Sequence, residues 1–397
     1  MKILLVRTIA IEEDCSISTY NNQGIGLATE LSKLGHECGL VYYAKKGKGF
    51  KEIIERDGVK LTVYHIEGKN LVWNAIYNKE LYDICNQYDI IQTSECDQIC
   101  SWLLYKKYPQ KTIIYHGPYK SKYTKKYNLR SKVFDFIFLH RAKFIEAPVI
   151  TKSYLAEKYL RKKGFKNVTT LGVGLNPYNL EQKIEEIPNK IKNVIDNKKN
   201  DKYILYIGAI SKRKNLKFVL KILNKIVNEK CHKDYKLVVI GSKAYKEEKY
   251  YEECFNYIKR NNLDNNVINL KTVEQKYLKY VYNCSDVYVL PTQYDIFGMV
   301  YLEAMYFGTP IVTTLCGGSS LLIEEGKTGF IRKIVEPEEW ANIIIKIAEN
   351  VEVKENISRE TKKQINEQYL WSVLVKKFEK EYKKLMNNKG SLWKNKI

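Results

Sequence analysis

Ser285-Asp-Val-Tyr-Val-Leu290-Pro-Thr-Gln-Tyr-Asp295-Ile-Phe-Gly298-Met-Val-Tyr-Leu-Glu303-Ala-Met-Tyr-Phe-Gly308-Thr-Pro310 reads as a strand, a loop and a helix in succession. Val287–Leu290 is a short apolar run stopped by Pro291, which marks a strand. A helix starts near Phe297, and Ile311–Thr314 is the next strand. Asp295 then sits on the loop at the carboxyl end of its strand, where open parallel sheets bind ligands. Gly298 lets backbone N–H groups come close to an anion. Glu303 falls in the first half of the helix, on the same side as Asp295. A carboxylate for a pair of hydroxyls, beside amides and a helix dipole for phosphate oxygens, is what a sugar nucleotide requires. A surface Asp followed by a capping Glu would read the same way.

The pattern repeats outward from this stretch. Tyr203–Ile207, Tyr235–Ile240 and Val267–Leu270 are further strands with helices between them. Gly208-Ala-Ile-Ser-Lys212-Arg213-Lys214-Asn215 lies between a strand and a helix. Three cations at a helix start oppose its dipole, so the turn either binds an anion or is a solvated basic loop. Leu315-Cys-Gly317-Gly318-Ser319-Ser320 has the glycines to wrap a ligand closely, whereas Glu325-Gly-Lys-Thr-Gly329 lacks the spacing of a P-loop.

In the first half, Lys2–Val6, the loop Gln23-Gly24-Ile25-Gly26, the helical run Leu27–Leu34, Gly35 as its stop and Gly39–Tyr43 make one parallel βαβ unit. Leu61–Tyr64, Ile90–Gln92, Thr112–Tyr115 and Pro148–Thr151 extend it into a parallel sheet. Gly24 and Gly26 offer backbone donors. His116 and Glu95 each end a strand, His116 placed to bond a sugar hydroxyl, to move a proton, or to lie in solvent. Residues 177–202 contain little that must be buried. The expected division is 1–180, 200–370, and an amphipathic helix from Trp371 to Met386 within 371–397. The fold class is α/β, two Rossmann-like doubly wound domains facing across a cleft.

A length of 397 residues suits two domains of roughly 200 residues each. The excess of 67 Lys and Arg over 45 Asp and Glu gives +22 and favours an anionic partner. Nine cysteines, an odd number, with no signal-like start before Ile3–Val6, point to reduced thiols and a cytoplasmic location. Cys96 and Cys100 have no neighbouring histidine in sequence, so no metal is expected. From Tyr105 to Lys166 there are 17 basic against 3 acidic residues, interleaved with aromatics. Residues 120–145 could therefore lie on an anionic membrane surface, at the inner face of the cell membrane; nucleic acid and a solvated basic face explain the charge as well.

Taken together and in order, His116-Gly117, Gly172-Val-Gly174, Gly208…Lys214, Ser285-Asp-Val-x-Val-Leu-Pro-Thr292, Phe297-Gly298, Leu302-Glu303-Ala304-Met305, Gly308-Thr-Pro310, Gly317-Gly318 and Gly326-Lys-Thr-Gly329 resemble the retaining, nucleotide-sugar-dependent glycosyltransferases of the GT-B arrangement, family 4 (glycosyl transferases group 1). The resemblance implies a catalytic set of His116, Lys214, Asp295 and Glu303. It implies a nucleotide-binding set of Gly24, Gly26, Gly208, Arg213, Lys214, Phe297, Gly298, Met299 and Glu303. Asp295 and Glu303 stand at the two acids of the family's Glu-x7-Glu, Asp295 on the transferred sugar and Glu303 on the ribose; Lys214 would steady the diphosphate. No metal or other cofactor is implied beyond the nucleotide-sugar donor. UDP is favoured over GDP, and the acceptor is a saccharide or a lipid-linked saccharide of surface-polymer synthesis. Three positions depart from the family: Asp replaces Glu at 295, Ala209 stands at a phosphate-binding arginine, and Leu321 at an acid. The alternatives are a nucleotide-dependent nucleic-acid-binding protein and a GT-B-like nucleotide-sugar epimerase.

Overall fold

The computed structural model describes residues 1–12, 15, 22–72 and 74–394, with side chains after 387 left aside. The chain divides into two compact units, Met1–Asn176 with Tyr369–Ile397, and Pro177–Gln368.

The first unit is built on nine described strands: β1 Lys2–Val6, β2 Glu37–Ala44, β3 Phe50–Arg56, β4 Val59–Leu71, β5 Asn74–Tyr77, β6 Ile90–Ser94, β7 Thr112–His116, β8 Val149–Thr151 and β9 Val168–Thr170. Their order is β3-β4-β2-β1-β6-β7-β8-β9, with β5 also paired to β4. Central strands such as β1 and β7 are buried on both faces, as expected where helices cover a parallel sheet. Leu4, Val41, Ile66, Ile91 and Leu104 form one core cluster; Ile114, Phe134, Phe144, Val149 and Leu160 form another.

The sheet is not wholly parallel. β3 and β5 both run antiparallel to β4. Asp57 and Gly58, with φ of 49° and 77°, close the β3–β4 hairpin. An Asp-Gly pair supplies the left-handed backbone that a two-residue hairpin needs. That dipeptide was the missed signal.

The second unit has six parallel strands, β10 Lys202–Ile207, β11 Tyr235–Ile240, β12 Val267–Lys271, β13 Val287–Leu290, β14 Ile311–Thr313 and β15 Phe330–Ile331. Their order is β12-β11-β10-β13-β14-β15. The sequence reverses direction between β10 and β13, and ligands bind at such switch points, outside the carboxyl ends of the strands.

Residues 177–202, where the domain boundary is expected and little is expected to be buried, contain the helix Asn189–Asp196. Its Ile191 and Val194 are buried three residues apart on one face, which is enough to dock a short helix in a Lys/Asn-rich stretch. The last helix, Trp371–Lys394, is longer than the 371–386 pattern suggested. Trp371, Leu374, Val375, Phe378 and Tyr382 are buried on it. It packs on the first helix, Gln23–Lys33, and the Tyr382 hydroxyl donates to Gln92 Oε1 at 2.7 Å.

Candidate active site

In the second unit, two loops meet at the switch point. The turn after β10 is pinned to the loop after β13: the Gln293 amide donates to the Arg213 carbonyl at 2.8 Å, and the Arg213 guanidinium donates to the Tyr294 carbonyl at 2.8 Å. Asn215 sits at φ 59° and turns the chain into the helix Leu216–Asn224, a conformation Asn adopts more readily than most residues. Lys214 Nζ pairs directly with Asp295 Oδ2, and Arg213 Nη1 lies 4.0 Å from the same oxygen. The anion that the basic turn requires is thus supplied, in the free protein, by Asp295. Lys212 is exposed, and its backbone amide faces Glu247 Oε1 at 3.4 Å. Arg213 is the cation placed next to Lys214 at Asp295. Gly208 lies beside the Lys214 stem with room for a Cβ.

Gly298, at φ 83°, caps the helix Met299–Phe307, so the amides that open this helix begin next to Asp295. A Cβ at Gly298 would come within 2.7 Å of the Tyr301 ring. The Phe297 side chain is buried, 2% exposed. Gly317 and Gly318 have a different use from the ligand wrapping expected of them. A Cβ there would fall 1.8 Å from the Ile296 carbonyl and 1.9 Å from that of Phe297, so these glycines let two loop backbones touch and hold residues 295–297 in place.

Glu303 is fully buried. Its Oε1 accepts from Gln275 Nε2 at 3.2 Å and its Oε2 from the Tyr282 hydroxyl at 3.1 Å. Sequence reasoning did not find Gln275 or Tyr282, because each comes from an element remote in sequence and neither falls in a motif. Asp286 of the same stretch is structural: it accepts from the Tyr203 amide at 2.7 Å and pairs with Lys198 and Lys354. Against the cost of burial, those two ammonium groups hold its carboxyl below the ordinary range.

The first unit gathers a second polar group at the ends of β6 and β7. Glu95 is buried with φ 64°, a conformation that costs about 1 kcal/mol or more outside glycine. Its Oε1 lies 3.2 Å from Lys152 Nζ, and its Oε2 takes the Gly117 amide at 2.8 Å and lies 3.2 Å from His116 Nδ1. Burial opposes the charge, but Lys152, His116 and the Gly117 amide outweigh it and bring the Glu95 carboxyl down to about 2. His116 is buried, not solvent-exposed. The Cys96 amide also lies 3.1 Å from its Nδ1. Among the described residues Nε2 has no hydrogen-bond partner, and neither do Asp97 Oδ1 and Oδ2, Gln98 Oε1 and Trp102 Nε1. Arg130 Nη2 approaches Asp97 to 3.5 Å. Buried polar atoms left this way call for a hydroxylic ligand or water.

Gly24 and Gly26 do not serve as free backbone donors. The Gly24 amide donates to the Asn22 side chain at 3.0 Å and the Gly26 amide to the Asn22 carbonyl at 3.0 Å. A Cβ on Gly26 would sit 2.6 Å from the Trp371 ring, and one on Gly174 2.3 Å from it. Both glycines make room for the last helix. Cys15, Glu52 and His65 bring one ligand atom each within 4.8 Å of one another, but the Arg56 guanidinium already bonds the Cys15 carbonyl, so a cation is present beside them. All nine cysteines are free thiols, and among the described residues no helix is long and apolar enough to cross a membrane.

Residues 188–364 match the family described as Glycosyl transferases group 1. The chain is 28% identical over 219 residues to an uncharacterized glycosyltransferase of Methanocaldococcus jannaschii, covering 55% of this chain and 54% of the relative. It is 30% identical over 190 residues to spore coat protein SA of Bacillus subtilis, covering 46% and 49%. The chain thus spans about half the length of these curated relatives. Among solved structures, sucrose-phosphate synthase of Thermosynechococcus elongatus aligns with a TM-score of 0.74 at 16% identity, over 98% of this chain and 100% of that one. HepE of Anabaena, in complex with UDP-glucose, aligns with a TM-score of 0.68 at 17% identity, over 96% and 98%. The chain has the GT-B fold, and within its second unit residues 188–364 resemble the glycosyl transferases group 1 family.

Proposed function

We propose that this protein transfers a glycosyl group from a nucleoside-diphosphate sugar, a UDP-sugar in preference to a GDP-sugar, to a hydroxyl acceptor with retention of anomeric configuration. The observation that carries the reading is the meeting of Lys214, Arg213 and Asp295 beside the Gly298-capped helix start, with Glu303 further along that helix. The UDP-glucose complex of HepE supports the choice of UDP.

Negative charge grows on the departing diphosphate as the glycosidic bond breaks. Lys214, Arg213 and the amides from Met299 onward lie around one place, so once Lys214 is released from Asp295 they stabilise that charge together. Lys214 exchanges Asp295 for the diphosphate, and Asp295 turns to the sugar hydroxyls. Glu303 accepts the ribose hydroxyls in place of the Gln275 amide. In the first unit, Nε2 of His116 bonds a sugar hydroxyl, while the charged Glu95 lies against the other ring nitrogen. Asp97 and Gln98 take hydroxyls of the acceptor, which we assign as a lipid-linked saccharide, in keeping with the capsular polysaccharide biosynthesis glycosyltransferase of Staphylococcus aureus at 26% identity.

The test is a panel of UDP- and GDP-linked sugars with product masses and anomeric configuration read out. A glycosylated acceptor from a UDP-sugar, with the donor's configuration kept, supports the reading. Inverted product, or an isomerised sugar nucleotide formed without acceptor, overturns it.

A further inference from the structure

The helix Lys125–Phe134 and the turn that continues it, Asp135–Leu139, carry an apolar stripe that faces away from the fold. Phe136 is 93% exposed, Leu129 66% and Val133 52%, with Ile137 beside them. Positions 129, 133, 136 and 137 follow the three- and four-residue spacing of one helical face. The opposite face is anchored. Phe134 and Leu139 are buried, the Ser131 hydroxyl lies 2.7 Å from that of Tyr159, and Lys163 reaches Ser131 at 2.7 Å and Asp135 at 2.8 Å. The stripe is therefore held outward by the fold and is not a frayed helix waiting to turn over.

Charge around the stripe has one sign. Lys120, Lys122, Lys125, Lys126, Lys132, Arg141 and Lys143 fall within 24 residues that contain a single acid, Asp135, and that acid is paired with Lys163. An isolated exposed apolar residue needs no explanation, but a contiguous stripe rimmed by cations does. A protein partner would need a matching apolar groove with an acidic rim. An anionic bilayer supplies both chemistries at once, acyl chains for Leu129, Val133, Phe136 and Ile137, and phosphates for lysines whose stems lie along the interface.

We propose that the outer face of the helix Lys125–Phe134 and its following turn docks the protein on an anionic lipid surface. The docking does not depend on the transferase reading. One consequence does: the inner face of the same helix carries Arg130, 3.5 Å from Asp97, so the polar group assigned to the acceptor lies about one helix diameter, roughly 10 Å, from the docked face. A lipid-linked hydroxyl would be delivered there without leaving the membrane.

The full-length protein is sedimented with phosphatidylcholine vesicles, with and without phosphatidylglycerol, at low and high salt. Binding is expected only to the anionic vesicles and to weaken with salt. Leu129→Ser with Phe136→Ser lowers the partition coefficient roughly tenfold or more, and each of Lys125→Ser and Lys126→Ser lowers it about fivefold. All four positions are exposed, so thermal melting stays unchanged and loss of binding cannot be ascribed to unfolding. Equal binding to neutral vesicles, no binding to either, or a dimer in lipid-free solution that Phe136→Ser dissociates would overturn the proposal. Turnover of a soluble acceptor by the Phe136→Ser protein separates failure of docking from failure of the transferase reading.

Discussion

Lys214 and Asp295 neutralise each other in the free protein, so the donor must compete with an ion pair already formed. Lys214→Ala should lower kcat/KM for the donor by roughly 10²- to 10³-fold, the usual loss for one preplaced group facing a developing anion. Steady-state kinetics over a range of donor concentrations checks this. Glu95 offers a second test through pH. Its carboxyl is held near 2 in the fold, below the ordinary value of about 4.3. The stability it contributes is therefore complete above about pH 5 and drains away as pH falls towards 2. Glu95→Gln should lower the melting temperature at neutral pH and flatten its decline between about pH 5 and 2. A parallel decline in both proteins would remove Glu95 as the fixed charge behind His116.

At the scale of elements, glycines decide how loops and helices meet. Gly26 and Gly174 leave the space that the Trp371 ring fills. Trp371→Ala should cost about 3–5 kcal/mol and Gly26→Ala about 1–3 kcal/mol, both measured by denaturant unfolding. If instead Gly26→Ala left stability intact and weakened donor binding, the glycine would be a ligand residue after all. The βαβ rhythm was readable because strands buried on both faces are continuous apolar runs, as in Ile204–Ile207 and Leu237–Ile240. The antiparallel β3 and β5 were not: β3 is mostly exposed and only Asp57-Gly58 marks its turn, and β5 is four residues long. Asp295, Lys214 and Glu303 could be placed from sequence because each lies next to a strand end or helix start. Gln275, Tyr282, Asp97 and Gln98 could not, because their meaning comes from neighbours supplied by tertiary packing.

For the whole molecule, the division of labour follows the two units. Residues 177–368 hold the match to the glycosyltransferase family and the cationic strand-end site. The unit formed by 1–176 and 369–397 holds the buried group around His116 and Asp97 and the outward stripe at Phe136. The central claim is that the second unit binds a nucleoside diphosphate through Lys214 and Glu303. Calorimetric titration of UDP into the native protein and into Lys214→Ala and Glu303→Ala measures it directly. Saturable one-to-one binding, weakened roughly tenfold or more in each variant by loss of a charge-assisted contact, is the predicted result; unchanged UDP affinity in both variants would contradict the account.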